Sequence, residues 1–342
     1  MEIILRKEYS KFINYWLICL LFFIGLIVIV GGLTRLTDSG LSITTWDVVS
    51  GIFPPITNSQ WIDAFNLYKE IPQFYLLNQS MTMDEFKVIY YWEYIHRILG
   101  RILGLLFLIP FLFIYFKKIF SREYNLNFLN LFILILVQGT VGWYMVKSGL
   151  VNNITVSHYR LSIHLTTAVI IISMIFWLMK NFIYKKNKIF FRYSVENLPF
   201  HLLVVLIFLQ IIIGAFVSGL DAGMIYQTWP KMGNTFIPND LIIFNFLNIF
   251  EFNNHSLVQF YHRSLAYLII LYVIFLSTYI YKKKLDKLYT PLKILILLLA
   301  LQVLLGIFTL ISGLNIYLAS SHQIISVLLV LSAINLHYFR TK

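Results

Sequence analysis

Charged side chains are scarce in this chain. They make up 12% of its 342 residues, whereas a soluble globular protein carries about 25%. Hydrophobic residues account for 59% and gather in successive apolar runs of more than about 18 residues, long enough to cross a bilayer as helices. The runs lack the period-two alternation of membrane β-strands, which excludes a β-barrel. The composition therefore predicts an all-α polytopic membrane protein.

Cysteine is nearly absent. Cys19, inside the first apolar run, is the only one, which excludes a disulfide within the chain and a thiolate metal site. The first run is too long for a secretory signal and has no small-residue cleavage site after it. These absences, together with the apolar runs, predict a multi-pass protein of a bacterial inner (cytoplasmic) membrane.

Acidic residues are also few, with 15 Asp and Glu against 27 Lys and Arg. Eighteen of the 27 basic residues flank one side of the predicted spans and six flank the other. Because basic residues concentrate on the cytoplasmic side, both termini are predicted to be cytoplasmic. This bias explains the net charge of +12 without a nucleic-acid partner. The eight predicted spans are residues 13–33, 92–116, 126–146, 160–180, 199–219, 257–281, 291–311 and 317–338.

The two halves of the chain contain similar stretches in the same order. "YIHRILG" opens the second span and "FYHRSLA" the sixth, and "VQGTVGWYMVKSGL" in the first half matches "LQVLLGIFTLISGL" in the second. Four spans per repeat is an even number, so both repeats have the same orientation in the membrane. We expect eight transmembrane helices arranged as two parallel-repeat four-helix bundles, residues 1–185 and 186–342, with extracytoplasmic loops at about 34–91 and 220–256.

Four histidines lie at one predicted depth, near the outer ends of the even-numbered spans. Ionisable residues inside a membrane are costly and are candidates for function. Two imidazoles per bundle, without thiolates, suit a heme iron with two axial nitrogens, whereas zinc would take three or four ligands in one place. A bundle core can also hold a porphyrin. The predicted heme iron ligands are His96, His164, His262 and His322.

The other four histidines have no such pairing. His158 and His255 are predicted to lie at the surface or in loops, and His201 and His337 at the membrane interface. Glycines near the predicted ligands have two interpretations: they let a flat macrocycle approach a backbone, or they serve helix packing. The glycines in question are Gly31, Gly32, Gly100, Gly104 and Gly142.

The two matching stretches that contain His96 and His262 differ at a position that is acidic only in the first half. Glu93 precedes His96 by three residues, and Gln259 takes the same place before His262. Residues at i and i+3 share a helix face, so the Glu93 carboxylate is expected beside a porphyrin bound at His96. A carboxylate can transfer protons, whereas an amide only forms hydrogen bonds. This difference predicts that the first half performs chemistry with Glu93 as its catalytic residue. The alternative is a structural salt bridge.

Each of these two stretches also contains an arginine directly after its histidine. Arg97 and Arg263 are predicted to bind heme propionates, which are anionic and suit a guanidinium partner. For Arg97 the alternative is an i,i+4 ion pair with Glu93. The sequence leaves both interpretations open.

Taken together, these stretches resemble the heme A synthase family along essentially the whole chain. The similar segments are "GGLTRLTDSGLSITTW", "EYIHRILGR", "SHYRLSIHL", "GLDAGMIYQTWP" and "YHRSLAY". The resemblance implies oxidation of a methyl group of heme O to a formyl group, which gives heme A, with heme B as a second, electron-transferring heme. It implies ligand pairs at His96 with His164 and at His262 with His322, and an acidic residue at Glu93. Because paired loop cysteines are absent, the chain resembles the cysteine-free branch.

The resemblance also implies partners and leaves alternatives. Besides heme O and membrane lipid, the candidate partners are the heme O synthase (a farnesyltransferase), an unidentified electron-transfer protein and a second copy of the chain. The main alternative function is a bis-histidine diheme cytochrome b that exchanges electrons with quinone, which would not need Glu93. A transporter would need helices broken at the midplane in both halves, and no such Gly/Pro interruption is present.

Overall fold

A computed structural model of the chain describes residues 7–45, 50–152, 155–241 and 246–341. This part of the chain is almost entirely helical, and it includes an isolated β-bridge between Met232 and Thr235. The helices are α1 (Lys7–Leu36), α2 (Asn58–Lys69), α3 (Pro72–Leu77), α4 (Met83–Phe116), α5 (Arg122–Asn152), α6 (His158–Tyr184), α7 (Leu198–Gly219), α8 (His255–Lys282), α9 (Tyr289–Ile311) and α10 (Ile316–Arg340).

Eight of these helices are long and apolar enough to cross a membrane, namely α1 and α4 to α10. Each contains one of the eight predicted spans, so the predicted class, an all-α polytopic membrane protein, is confirmed. The helices extend beyond the apolar runs. The largest extension is in α4, which begins at Met83 rather than near residue 92 because the Thr82 hydroxyl and the Glu85 carboxylate cap its first turn reciprocally. A capping box stabilises the start of a helix through hydrogen bonds, whether or not the residues there are apolar.

The segment between α1 and α4 has an apolar core of its own. Thr57 and Gln60 form a second capping box that starts α2, and Pro72 occupies the first turn of α3. The Tyr68 hydroxyl is fully buried and donates to Gln73 Oε1 at 3.1 Å. This segment packs on the first turns of α4 through a cluster of buried side chains: Leu41, Trp61, Phe65, Tyr68, Ile71, Phe86, Ile89 and Tyr90.

The chain divides into two compact units. One is Cys19–Ala168, and the other combines Val169–Lys342 with Met1–Ile18. Within the first unit, α4 packs on α5, α2 on α4, and α3 on α5. Within the second, α9 packs on α10, and α7 packs on both α8 and α10. The predicted division at residue 185 stays a prediction.

Candidate functional site

The four predicted ligand histidines form two pairs. His96 on α4 and His164 on α6 have ring centroids 6.3 Å apart, with the ring planes at 74°. His262 on α8 and His322 on α10 have centroids 6.4 Å apart, at 75°. The structure therefore brings together the two pairs expected from the repeat, one in each unit, with nearly the same geometry.

The separation of the rings fits a shared metal ion. Two imidazoles bonded to opposite sides of one ion, at metal–nitrogen distances of about 2 Å, have ring centres about 6 Å apart. The described residues contain no group of three or more His, Cys, Asp or Glu that could hold a metal ion by themselves. A donor set of two imidazoles suits an iron whose other ligands come from a porphyrin.

A glycine of the neighbouring helix lies against each of the four rings. A Cβ atom added at these glycines would come within 2.9 or 3.0 Å of a ring atom, closer than side chains normally approach, so a larger residue would displace the imidazole. The contacts are Gly31 with His96, Gly142 with His164, Gly214 with His262 and Gly306 with His322. By contrast, a Cβ at Gly100 or Gly104 would meet nothing within 4 Å.

Glutamine side chains accompany three of the rings. Each glutamine precedes the contacting glycine by one helical turn, and each places its amide nitrogen near a ring nitrogen. The pairs are Gln138 with His164 at 3.3 Å, Gln210 with His262 at 3.2 Å and Gln302 with His322 at 3.2 Å. Gln138 and Gln302 are the glutamines of the matching stretches "VQGTVGWYMVKSGL" and "LQVLLGIFTLISGL", whereas Gln210 was not predicted. The spacing Q-x-x-x-G, which occurs at all three places, was the signal for it.

Glu93 is buried, with 2% of its surface exposed, and it receives three hydrogen bonds. Its Oε2 accepts from the Ser42 hydroxyl at 2.8 Å and from the backbone N–H of Ile43 at 2.9 Å. Its Oε1 accepts from the Arg97 guanidinium at 2.6 Å. The Ile43 N–H and the Arg97 guanidinium can only donate, so both side-chain oxygens of Glu93 accept hydrogen bonds.

Gln259 is equally buried, but it donates a hydrogen bond to its loop, whereas Glu93 accepts one. Its amide nitrogen donates to the backbone carbonyl of Tyr226 at 3.0 Å. Its Oε1 is buried without a hydrogen-bond partner among the described residues. The loop that follows α1 therefore presents an N–H to the carboxylate in the first half, and the loop that follows α7 presents a C=O to the amide in the second.

The two arginines hold these same loops. Arg97 donates to the carbonyls of Ile43 and Thr45 at 2.9 and 3.1 Å. The i,i+4 ion pair with Glu93, one of the two interpretations of Arg97, is present. A propionate contact for Arg97 stays a prediction. A polar cavity of about 310 Å³ lies beside Arg97, and its lining includes Tyr90, Tyr94, Arg101 and Gln60.

Arg263 repeats this arrangement in the second half. It donates to the carbonyls of Tyr226 and Thr228 at 2.7 and 2.8 Å, and to that of Lys231 at 3.3 Å. Its propionate contact also stays a prediction. Asp240 fixes the loop from the other side, since its carboxylate accepts from the Tyr226 hydroxyl at 2.6 Å.

The Asp240 carboxylate has a second donor, the Ser256 hydroxyl at 2.6 Å. Burial raises the pKa of this carboxyl, but the hydrogen bonds from Ser256 and Tyr226 outweigh that effect and hold it below its usual value. The carboxylate is therefore ionised at neutral pH, and it keeps the loop that carries the Tyr226 carbonyl in place.

The remaining histidines lie apart from the pairs. His158 is 7% exposed, so the expected surface position was wrong. It is the first residue of α6 and contacts the ring of Tyr159. The rings of His201 and His337 are in contact, with centroids 4.3 Å apart and planes tilted at 58°. Both place Nε2 2.9 Å from the carbonyl of Phe190. This contact gives His201 and His337 a structural role at the ends of α7 and α10.

Comparison with known proteins agrees with this arrangement. The family described as "Cytochrome oxidase assembly protein" matches residues 14–334. The chain is 47% identical over 327 residues to the "Heme A synthase" of Pelagibacter ubique, covering 95% of each chain. It is 44% identical over 264 residues to that of Parvibaculum lavamentivorans, covering 77% of this chain and 76% of the relative. It is 41% identical to that of Rickettsia bellii, covering 94% and 96%. The chain therefore belongs to the heme A synthase family of cytochrome oxidase assembly proteins.

Proposed function

We propose that this protein is a heme A synthase, an enzyme that oxidises a methyl group of heme O to a formyl group and so produces heme A. Relatives that match nearly its whole length carry that name. The first histidine pair, His96 and His164, takes the substrate heme O. The second pair, His262 and His322, holds heme B, which carries electrons away from the reaction. Residues 1–185 and 186–342 are then a catalytic half and an electron-transfer half.

One observation carries the assignment of roles to the halves. Both halves contain a histidine pair of nearly the same geometry, but only the first has a buried carboxylate one helical turn before its histidine. A site that only transfers electrons needs two ligands, which the second half supplies. The carboxylate is the extra group that a reaction would require. A diheme cytochrome b that exchanges electrons with quinone gives no role to this difference.

The two histidine pairs fit heme iron in ring separation and donor type, as described above. A heme bound at the second pair supplies a one-electron redox centre. The four glycines let the imidazoles sit close to the adjacent helix backbones, which fixes where each ring lies. The protein thus contributes binding and orientation at both pairs.

Glu93 is the catalytic carboxyl group of this proposal. In conversion of the methyl group to a formyl group, four electrons and four protons are released and the carbon gains one oxygen atom from water. A first two-electron oxidation gives a hydroxymethyl group and a second gives a gem-diol, which loses water, and positive charge develops at the carbon as each pair of electrons leaves. A carboxylate fixed by Ser42, Ile43 and Arg97 stabilises positive charge that develops nearby, without rearranging during the reaction. It is also the acceptor available for a released proton.

The proposed setting is the bacterial inner membrane. Both termini are cytoplasmic according to the bias of basic residues, which places the histidine pairs toward the outer leaflet. Heme O reaches the first pair from the heme O synthase, and an electron-transfer partner accepts the electrons. A second copy of the chain is also a candidate partner.

The decisive experiment is production of the protein together with a heme O source, followed by extraction and chromatography of the hemes. Heme A, identified by the formyl-heme spectrum of its pyridine hemochrome, is the expected product. A chain with both histidine pairs loaded but only heme O and heme B in the extract would refute the synthase. The variant His262→Ala tests the assignment of the second pair, because it should lose or convert a low-spin heme B signal while the heme at His96 and His164 is largely retained.

A further inference from the structure

The four histidines differ in one feature, the residue one helical turn before the contacting glycine. At three of them it is the glutamine described above. At the fourth, His96, the contacting glycine is Gly31 and the residue one turn before it is Ile27. The spacing Q-x-x-x-G is therefore replaced by I-x-x-x-G at this position. The second half has two glutamines at its histidine pair, whereas the first half has one.

The glutamines have unused hydrogen-bonding capacity where a ligand would lie. The side-chain oxygens of Gln138, Gln210 and Gln302 are buried without hydrogen-bond partners in the described part of the chain. A neutral imidazole that binds a metal through one nitrogen has an N–H on the other, and this N–H needs an acceptor. Gln138 and Gln302 place the amide near Nε2 of their histidines, and the Gln210 amide lies 3.2 and 3.4 Å from the two ring nitrogens of His262. An amide offers both a donor and an acceptor, so a glutamine beside the ring can satisfy whichever nitrogen does not bind the metal.

Gln302 shows how tightly such a residue can hold a ring. Its amide nitrogen lies 3.2 Å from His322 Nε2, and its backbone carbonyl lies 3.0 Å from His322 Nδ1. Gln302 therefore reaches both ring nitrogens, so when one of them binds a metal the other can keep its contact with Gln302. Gly306, on the next turn, makes this possible because a side chain there would overlap the ring. The glutamine and the glycine together fix the position and the tautomer of the imidazole.

His96 lacks this support. Among the residues that the structure describes, its ring forms no hydrogen bond, and Ile27 has no polar atom to offer. The ring is fixed by contact with Gly31 alone on that side. Groups that hydrogen-bond to a ligating histidine raise its basicity and hold its orientation, and losing one typically lowers metal affinity about 10–100-fold. The His96 bond to a heme iron is therefore the weakest of the four.

We infer that His96 is the exchangeable ligand, and that Gln138, Gln210 and Gln302 are positioning residues that retain the hemes at the other three histidines. This inference rests on the proposed function. A site that binds a substrate heme and releases a product heme in each cycle needs one ligand that opens. A site that keeps an electron-transfer heme needs two that stay bound. The distribution of glutamines, one at the first pair and two at the second, matches these needs.

The test uses the purified, heme-loaded full-length protein and a reciprocal exchange of residues. Ile27→Gln adds the missing amide. Ile27→Met is its control, because methionine is unbranched and similar in length to glutamine but has no amide. Gln210→Met removes an amide from the second pair. Heme loss is followed by absorbance as each heme transfers to an excess of apomyoglobin, and the low-spin signals are followed by electron paramagnetic resonance.

We expect the wild type to lose one heme quickly and the other slowly. Ile27→Gln should slow the fast phase about 10–100-fold and shift the low-spin signal of the first site, whereas Ile27→Met should change neither. Gln210→Met should speed the slow phase by a similar factor. If Ile27→Gln leaves the fast phase unchanged, or if Ile27→Met slows it equally, the inference is wrong. Ile27→Gln is expected to keep its heme longer than the wild type, which a misfolded protein would not do. The test therefore remains decisive even if Gln210→Met fails to fold.

Failure of the inference can be told apart from failure of the proposed function. If the wild type shows two low-spin hemes, assigned by loss of the respective signal in His164→Ala and His322→Ala, then heme ligation by the two pairs stands whatever the exchange rates show. If neither substitution removes a signal, ligation itself fails, and the exchange rates then concern another site.

Discussion

The Glu93 carboxylate accepts the backbone N–H of Ile43 at 2.9 Å, and the corresponding amide of Gln259 donates to the backbone carbonyl of Tyr226 at 3.0 Å. The side chain and the loop have therefore changed together: an acceptor faces a donor in one half, and a donor faces an acceptor in the other. An exchange of Glu and Gln in either half leaves the loop unchanged, so it creates a mismatch as well as removing or adding a charge.

The first prediction concerns Glu93→Gln. The amide has one acceptor and one donor group, so it cannot satisfy Ser42, Ile43 and Arg97 together. A buried group left without its partner costs about 1–3 kcal/mol, which we expect a fold of eight packed helices to tolerate. Loss of a positioned acid/base or charged group typically lowers a rate about 10²–10⁴-fold. We expect both hemes to be retained and heme O or a hydroxylated intermediate to accumulate, as measured by chromatography of extracted hemes.

Its matched control is Gln259→Glu. This substitution places a carboxylate against the carbonyl of Tyr226 and should lower thermal stability without stopping production of heme A, because the second half is not the reaction site. Wild-type amounts of heme A from Glu93→Gln would contradict the catalytic assignment. Equal loss from both variants would show that the effect is structural.

The second prediction concerns the glycines beside the histidines. A Cβ at Gly306 would lie 2.9 Å from His322 Cε1, so Gly306→Ala must push the ring away from its position. Overpacking of this kind costs about 1–3 kcal/mol, and we expect a lower occupancy and an altered low-spin spectrum of the second heme. Gly104→Ala is the control, since it meets nothing within 4 Å and should stabilise helix α4 by about 1 kcal/mol. An unchanged spectrum in Gly306→Ala would mean that the ring is free to move without cost.

The eight long helices could be predicted because membrane spans carry their own signal, a long apolar run. The helices α2 and α3 were missed because they lie outside the apolar runs. Their signals were local: Thr57 with Gln60 forms the capping-box pattern, and Thr82 with Glu85 forms it again ahead of α4. Reading these patterns as helix starts would have placed α2 and the first turns of α4 correctly.

The histidine pairs could be predicted from the repeat, but their surroundings could not. Glu93 receives the N–H of Ile43 from fifty residues away, and Arg263 is bonded to backbone carbonyls. Backbone groups are the same at every position, so no residue type marks the partner. For this reason the sequence left the salt bridge and the propionate contact as equal alternatives for Arg97. The ion pair between Arg97 and Glu93 is seen only in the structure.

The third prediction concerns topology. The bias of basic residues places the termini in the cytoplasm and the α2–α3 segment outside. Reporter fusions after Lys118, in the connection from α4 to α5, and after Tyr68, in α2, should therefore report opposite compartments. A phosphatase reporter should be active only after Tyr68, and a fluorescent protein that folds only in the cytoplasm should be bright only after Lys118. The same compartment for both positions would overturn the orientation.

The fourth prediction concerns the guanidinium of Arg263, which donates to three carbonyls of the loop that follows α7. Arg263→Lys keeps the positive charge, but an ammonium group cannot reproduce the planar fork that spans these acceptors. Hydrogen bonds to charged groups contribute about 1.5–3 kcal/mol each, so backbone amides at residues 226–233 should exchange hydrogen about tenfold faster or more. Mass spectrometry of hydrogen–deuterium exchange measures this. Lys231→Ala is the control, because Lys231 contributes only its backbone carbonyl to the contact, and its exchange should match the wild type. Unchanged exchange in Arg263→Lys would show that Asp240, through the Tyr226 hydroxyl, is sufficient to hold the loop.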